Sequence, residues 1–191
     1  MRETLALTQK MQAVTVLVAD LDGAVGDGRR RGRFDRADLI GAELAITAGW
    51  RLILLTDGEA KAAEPLAAIA GVEIVTSGAD RAEVLADLDP ATVAWLGSDL
   101  PDVPAMWRCG LTVATRDGAL LLRRKADLVL DSPAGRGALR ELVERLLASV
   151  DREVEVVRAW FAARGIEDPG PWLPSDDEAE HVGAPKIGFR R

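Results

Sequence analysis

The chain has 191 residues and a net charge of −7 at pH 7, which fits one domain with an appendage and argues against general nucleic-acid binding. Hydrophobic residues make up 48% of it, yet no apolar run approaches the roughly 18 residues of a membrane span, and Met1-Arg2-Glu3-Thr4 lacks the charged-then-apolar pattern of a secretory leader. A lone Cys109 cannot close an internal disulfide, so a reducing cytoplasm is expected.

The apolar run Val14-Thr15-Val16-Leu17-Val18 predicts a first strand over 14–19, ending at Asp20. Residues 24–34 are too short and too rich in Gly and Arg for a helix, which predicts a small hairpin or loop. A helix follows over 35–48 and a strand over 50–55, then a helix over 58–70 and a strand over 72–76. The alternation continues with a helix over 79–87, a strand over 92–96, a helix over 101–108 and a strand over 111–114. It closes with a helix over 118–124 and a strand over 126–130. The strands are short and apolar on both faces, the mark of a parallel sheet covered on both sides. The expected fold is therefore α/β, a doubly wound parallel sheet, with functional groups at the carboxyl ends of its strands.

From Gly137, the positions Leu139, Leu142, Val143, Leu146, Leu147 and Val150 follow helical spacing, and Val154, Val157, Trp160 and Phe161 extend it. This is one long helix or two joined near 149–151. Residues 165–191 turn to Pro, Gly and acid and are expected to form an irregular tail. The division that results is a domain over 1–150 and a helical extension with its tail over 151–191.

Chemistry collects where strands end. Asp20 and Asp22 stand two apart in Asp20-Leu21-Asp22-Gly23. One carboxylate can attack phosphorus while the other protonates the leaving oxygen, and the Gly keeps the turn clear of a side chain. Thr56 ends the second strand and can bond a phosphate oxygen, or simply cap the next helix. Arg81 follows the third strand and offers a cation, or sits as a solvated helix residue. Ser98, Asp99 and Asp102 follow the fourth, as metal ligands or as a cap for a helix beginning at Pro101. A carboxylate meets a phosphate dianion only if a divalent cation screens both, and Mg²⁺ suits oxygen ligands and water.

These segments resemble the haloacid dehalogenase superfamily, and within it the phosphatases of 3-deoxy-D-manno-octulosonate 8-phosphate. The resemblance runs from about residue 14 to 147. It is carried by Asp20-Leu-Asp-Gly-Ala-Val-Gly-Asp-Gly28, Gly97-Ser-Asp-Leu-Pro-Asp-Val-Pro-Ala-Met106, Gly110-Leu-Thr-Val-Ala114, Ala126-Asp-Leu-Val129 and Gly135-Arg-Gly-Ala-Leu-Arg-Glu141. It implies a sheet without a large cap domain and a small hairpin after the first strand. It also implies a Mg²⁺-dependent phosphatase of a small phosphorylated metabolite, a sugar acid phosphate. Asp20 becomes nucleophile and metal ligand, and Asp22 the general acid/base and a ligand through its carbonyl. Thr56 and Arg81 bind phosphate, with Asp99 and Asp102 at the metal. The active site would be completed by homo-oligomerisation, as a tetramer.

Three positions depart from the family pattern. Ser98 replaces a metal-binding Asp, and Asp99 stands one position on, where a strand-end side chain faces away. Arg81 replaces the phosphate-gripping Lys, with a longer and planar cation. Thr56-Asp57-Gly58 replaces Thr-Gly-Arg, losing a cation and adding an anion. Each change weakens anion binding, so the alternative is a catalytically attenuated relative kept for binding or assembly. A receiver-like signalling domain is disfavoured, because the paired acids follow the first strand rather than a lone Asp following the third. The cluster Arg29, Arg30, Arg31, Arg33 and Arg36 is read as a charged hairpin surface or an anion attractor. His181 is read as exposed, Cys109 and Trp95 as core, and Trp160 and Trp172 as candidate subunit-interface anchors.

Overall fold

The computed structural model describes residues 2–26, 33–58, 63–78, 80–167 and 170. Most of the expected hairpin, with Arg29, Arg30 and Arg31, lies outside the described residues. So does the tail from 171 on, with Trp172 and His181.

Six strands form one parallel sheet: β1 Val16–Asp20, β2 Arg51–Thr56, β3 Val72–Thr76, β4 Val93–Gly97, β5 Leu111–Ala114 and β6 Leu128–Val129. Their spatial order is β3-β2-β1-β4-β5-β6, and every pairing is parallel. Order reverses between β1 and β4, the place where a doubly wound sheet opens a crevice.

Side chains alternate between the two faces. Leu17, Ala19, Leu52, Leu54, Ala94 and Leu96 join one core. It is covered by α2 (Arg36–Thr47), α6 (Ala138–Ser149) and residues of α7 (Glu153–Ala162), with α1 (Arg2–Gln12) packing on α6. Val16, Val18, Ile53, Leu55, Val93 and Trp95 join the other, against Ala82, Leu85, Ala105, Met106 and Leu122. Each such fully buried Val, Leu or Ile side chain contributes about 1.5–3 kcal/mol over an exposed one. The continuous apolar reading of β1, β2 and β4 thus has its cause: both faces are dry.

The helices differ from expectation in length. The helix expected over 79–87 is a 3-10 turn, Arg81–Leu85, capped by Asp80, whose side chain accepts from Ala82 N–H. That expected over 101–108 is a 3-10 turn Leu100–Asp102 running into α4, Val103–Met106. Between 58 and 70 the described helix is α3, Glu64–Ala67; between 118 and 124 it is α5, Leu120–Lys125. The last helical stretch is two helices, broken where Asp151 takes φ 55°.

Helix α2 lies close on α6. A Cβ on Gly41 would fall 2.8 Å from the Arg140 backbone, so only Gly permits the approach. Asp38, fully buried on α2, accepts N–H bonds from Gly137 (2.8 Å), Leu139 (2.9 Å) and Arg140 (3.4 Å), serving the first turn of α6 from a neighbouring helix. Trp160 packs, partly buried, against its own core. Its Nε1 donates to Glu43 on α2 at 2.9 Å, and the Arg164 guanidinium covers its ring at 3.7 Å. Cys109 is half-buried; its Sγ donates to the Ala105 carbonyl at 3.3 Å, and burial pushes the thiol up to about 12.

Candidate active site

Asp20 closes β1 beside the point where strand order reverses, and is only 4% exposed. The chain then makes one π-helical turn, Leu21–Val25, with Gly26 N–H donating to the Leu21 carbonyl at 2.7 Å. This turn brings Asp22 back over the strand tips. Its backbone N–H donates to Asp20 Oδ1 at 3.2 Å. Its carboxylate Oδ2 accepts from the Thr56 hydroxyl at 2.7 Å and from Asp57 N–H at 3.0 Å. Thr56 in turn accepts from Gly58 N–H at 3.0 Å. The hydroxyl at the end of β2 therefore orients Asp22.

Gly23 keeps this turn clear of a side chain that would push the oxygens of the site aside. A Cβ there would lie 2.5 Å from both Asp20 Oδ2 and Ser98 Oγ. These two oxygens are themselves joined, the Ser98 hydroxyl donating to Asp20 Oδ2 at 3.3 Å.

Arg81 is buried at 6% exposure, directly under the strand tips. Its Nη1 lies 2.6 Å from Asp102 Oδ1 and 3.4 Å from Asp20 Oδ1, and its Nη2 2.5 Å from Asp57 Oδ2. Asp102, fully buried, also accepts from Trp95 Nε1–H at 3.4 Å and from the N–H groups of Ser98 (2.8 Å) and Asp99 (3.2 Å). Buried charges require this completeness of pairing. The Asp99 carboxylate instead accepts from Leu100 N–H at 2.7 Å and forms a reciprocal capping box with Asp102. Its place is the helix cap, and the oxygen beside Asp20 is that of Ser98.

The electrostatics follow from burial. Desolvation, reinforced by the Asp102 charge and opposed by Arg81, pushes the Asp20 carboxyl up to about 6. Burial works against the Arg81 charge, but Asp20, Asp102 and Asp57 hold its guanidinium above the ordinary arginine range. Asp57 is partly desolvated, yet hydrogen bonds from Ser77 and Arg81 keep it below the usual carboxylate range.

The structure thus gathers Asp20, Asp22, Thr56, Arg81 and Asp102 at one end of the sheet. Sequence reasoning missed that Asp57 and Arg81 are partners, and gave no role to Ser77, whose hydroxyl donates to Asp57 Oδ1 at 2.7 Å. The simultaneous departure of positions 57 and 81 from the family pattern, with opposite charges, was the available signal.

No family model matches the chain. It is 32% identical over 154 residues to the 3-deoxy-D-manno-octulosonate 8-phosphate phosphatase of Salmonella typhi, covering 72% of this chain and 81% of that protein. The chain belongs to this phosphatase family, within the haloacid dehalogenase superfamily. The crystal structure of the Yersinia pestis phosphatase superimposes with a TM-score of 0.68 at 31% identity, over 77% of this chain and 88% of that one. The Moraxella catarrhalis phosphatase, solved with magnesium, phosphate and KDO, gives 0.72 at 20% identity, over 81% and 97%. At that identity the second likeness speaks for the fold.

Among the described residues no group of three or more His, Cys, Asp or Glu side chains is arranged to hold a metal. Asp20 Oδ2 and Ser98 Oγ nevertheless stand side by side, 3.3 Å apart, next to Gly23. One carboxylate and one hydroxyl form a hard-oxygen donor set. It fits Mg²⁺, which keeps much of its water.

Proposed function

We propose that this protein is a Mg²⁺-dependent phosphatase of a small phosphorylated metabolite, a sugar acid phosphate, working through an aspartyl-phosphate on Asp20. The observation that carries this reading is Asp20 itself. It is a buried carboxylate at the sheet's switch point, flanked by the Arg81 cation at 3.4 Å and by Asp22 on a tethered turn. The family relationship supplies the substrate class: the Salmonella typhi relative is a 3-deoxy-D-manno-octulosonate 8-phosphate phosphatase.

In the reaction Asp20 attacks phosphorus and Asp22 protonates the leaving oxygen. Asp22 then takes a proton from the water that cleaves the acyl phosphate. Thr56 and Asp57 N–H hold the Asp22 carboxyl in position throughout, and Arg81 offers a fixed cation to the phosphoryl oxygens. Asp20, Ser98 and the Asp22 carbonyl would hold Mg²⁺. When bound, the metal screens the carboxylate from the phosphate and stabilises the charge that develops. Asp102 acts behind this layer, fixing Arg81 and the Ser98 loop.

The same reading makes the protein a cytoplasmic homo-oligomer, a tetramer by family resemblance, which light scattering of the full chain tests. The decisive assay is phosphate release, with and without Mg²⁺, from a panel that includes 3-deoxy-D-manno-octulosonate 8-phosphate. Asp20→Asn abolishes release; full activity in that variant rules the mechanism out. A second reading is favoured by one observation: Ser98 stands where the family carries a carboxylate, and three carboxylates already engage Arg81. On that reading the protein is an attenuated relative retained for binding or assembly, and the panel returns no product.

A further inference from the structure

We propose that Asp57 is a detachable counter-ion, holding Arg81 while the phosphate site is empty and competing with phosphate for the same guanidinium edge. This rests on the reading of Arg81 as the phosphate-binding cation.

The geometry separates the two ends of the guanidinium. Nη1 faces Asp102 at 2.6 Å and Asp20 at 3.4 Å, whereas Nη2 faces Asp57 at 2.5 Å. A lysine carries a single nitrogen and cannot serve both sides; an arginine can. Position 57 therefore occupies the valence that arginine adds at position 81.

The partners also differ in freedom. The side chains of Arg81, Asp20 and Asp102 are 5%, 5% and 0% exposed, but that of Asp57 is 57% exposed. Freeing Nη2 thus needs only an exposed carboxylate to turn outward. The Asp57 backbone can stay in place, because its N–H holds Asp22 independently of the side chain.

Charge gives the exchange its direction. Three carboxylates already surround one guanidinium, and an incoming phosphate adds further negative charge. Asp57 is the exposed member, so it yields. Its bond with Arg81, and the Ser77 hydroxyl on its other oxygen at 2.7 Å, must be given up when phosphate enters. Asp57 therefore sets phosphate affinity low and speeds release of the phosphate product. Selectivity then shifts toward substrates whose organic portion also binds.

The test is calorimetric titration of the full-length Mg²⁺-loaded protein with inorganic phosphate. Asp57→Asn is expected to bind phosphate about tenfold more tightly than the parent, the scale of one charge-assisted hydrogen bond. Ser77→Ala, which loosens Asp57 without removing it, shifts affinity the same way by a smaller factor. In turnover, Asp57→Asn lowers KM and the inhibition constant for phosphate more than it changes kcat. Unchanged or weaker phosphate binding by both variants overturns the inference, as does undetectable binding by parent and variants alike. Tighter binding by the variants with no product from any substrate leaves this inference standing and removes the phosphatase reading. Turnover by the parent with phosphate affinity unmoved in the variants does the reverse.

Discussion

Arg81 and Asp102 form a buried ion pair, 2.6 Å apart, that joins the turn after β3 to the loop after β4. Both loops reach over the carboxyl end of the sheet, and neither charge has solvent to fall back on. Removing the cation alone leaves Asp20 and Asp102 buried without a counter-charge. Arg81→Met is expected to cost roughly 3–5 kcal/mol in urea unfolding. In a double-mutant cycle with Asp102→Asn the two losses are strongly non-additive, because the second change relieves the charge stranded by the first. Additive losses show that the pair is not a coupled unit.

Gly23 yields the sharpest separation of stability from activity. The atoms its Cβ would strike, Asp20 Oδ2 and Ser98 Oγ, are side-chain ends that can move aside. Gly23→Ala is therefore expected to fold, with a loss below about 2 kcal/mol. It displaces Asp20, the proposed nucleophile, however, and phosphate release is expected to fall about a hundredfold, the scale of an ångström of misplacement. Melting curves and turnover on the same preparation check both halves.

Much of this was legible in the chain, for definite reasons. Strands buried on both faces read as unbroken apolar runs, so β1, β2 and β4 lie close to where periodicity places them, and the Asp20–Asp22 spacing marks a strand tip. Helix lengths were less legible. Asp80 caps a tight 3-10 turn that turns Arg81 beneath the sheet ends, and nothing in the pattern of 79–87 distinguishes this from a longer helix. Helix α1 was missed, because among its described side chains only Leu7 and Met11 pack on the core. The Asp57–Arg81 contact joins residues 24 positions apart, and simple charge counting read its acid as an obstacle to phosphate.

Ser98 offers a gain-of-function test. Its hydroxyl lies 3.3 Å from Asp20 Oδ2, so Ser98→Asp sets a second carboxylate against the first. Without metal the two repel, and the variant melts below the parent. With millimolar Mg²⁺ the order reverses, because an added anionic ligand tightens binding, by about tenfold here, and bound metal stabilises the folded state. Phosphate release at limiting Mg²⁺ rises in parallel. A variant whose melting ignores Mg²⁺ places the metal elsewhere.

Asp38 and Glu141 are expected to move stability in opposite directions with pH. Burial raises the Asp38 carboxyl from 3.8 to about 6, against the N–H groups of Gly137, Leu139 and Arg140 that favour its charge. A raised acid contributes stability that is fully present below pH 3.8 and lost as pH rises through about 6. The difference corresponds to roughly 3 kcal/mol. Glu141 is partly desolvated, but N–H bonds from Asp131 and Ser132 and the Arg145 guanidinium hold it below 4.5. Its contribution is present above pH 4.5 and lost as pH falls through its lowered value. Relative to Asp38→Asn, the parent therefore loses stability between pH 4.5 and 7.5. Relative to Glu141→Gln, it holds its advantage at pH 7.5 and gives it up on acidification. Urea unfolding of the three proteins from pH 7.5 down to well below pH 4.5 measures both slopes. A parent that gains on Asp38→Asn as pH rises means that the three backbone donors outweigh burial, and that this carboxylate is charged wherever the protein is folded.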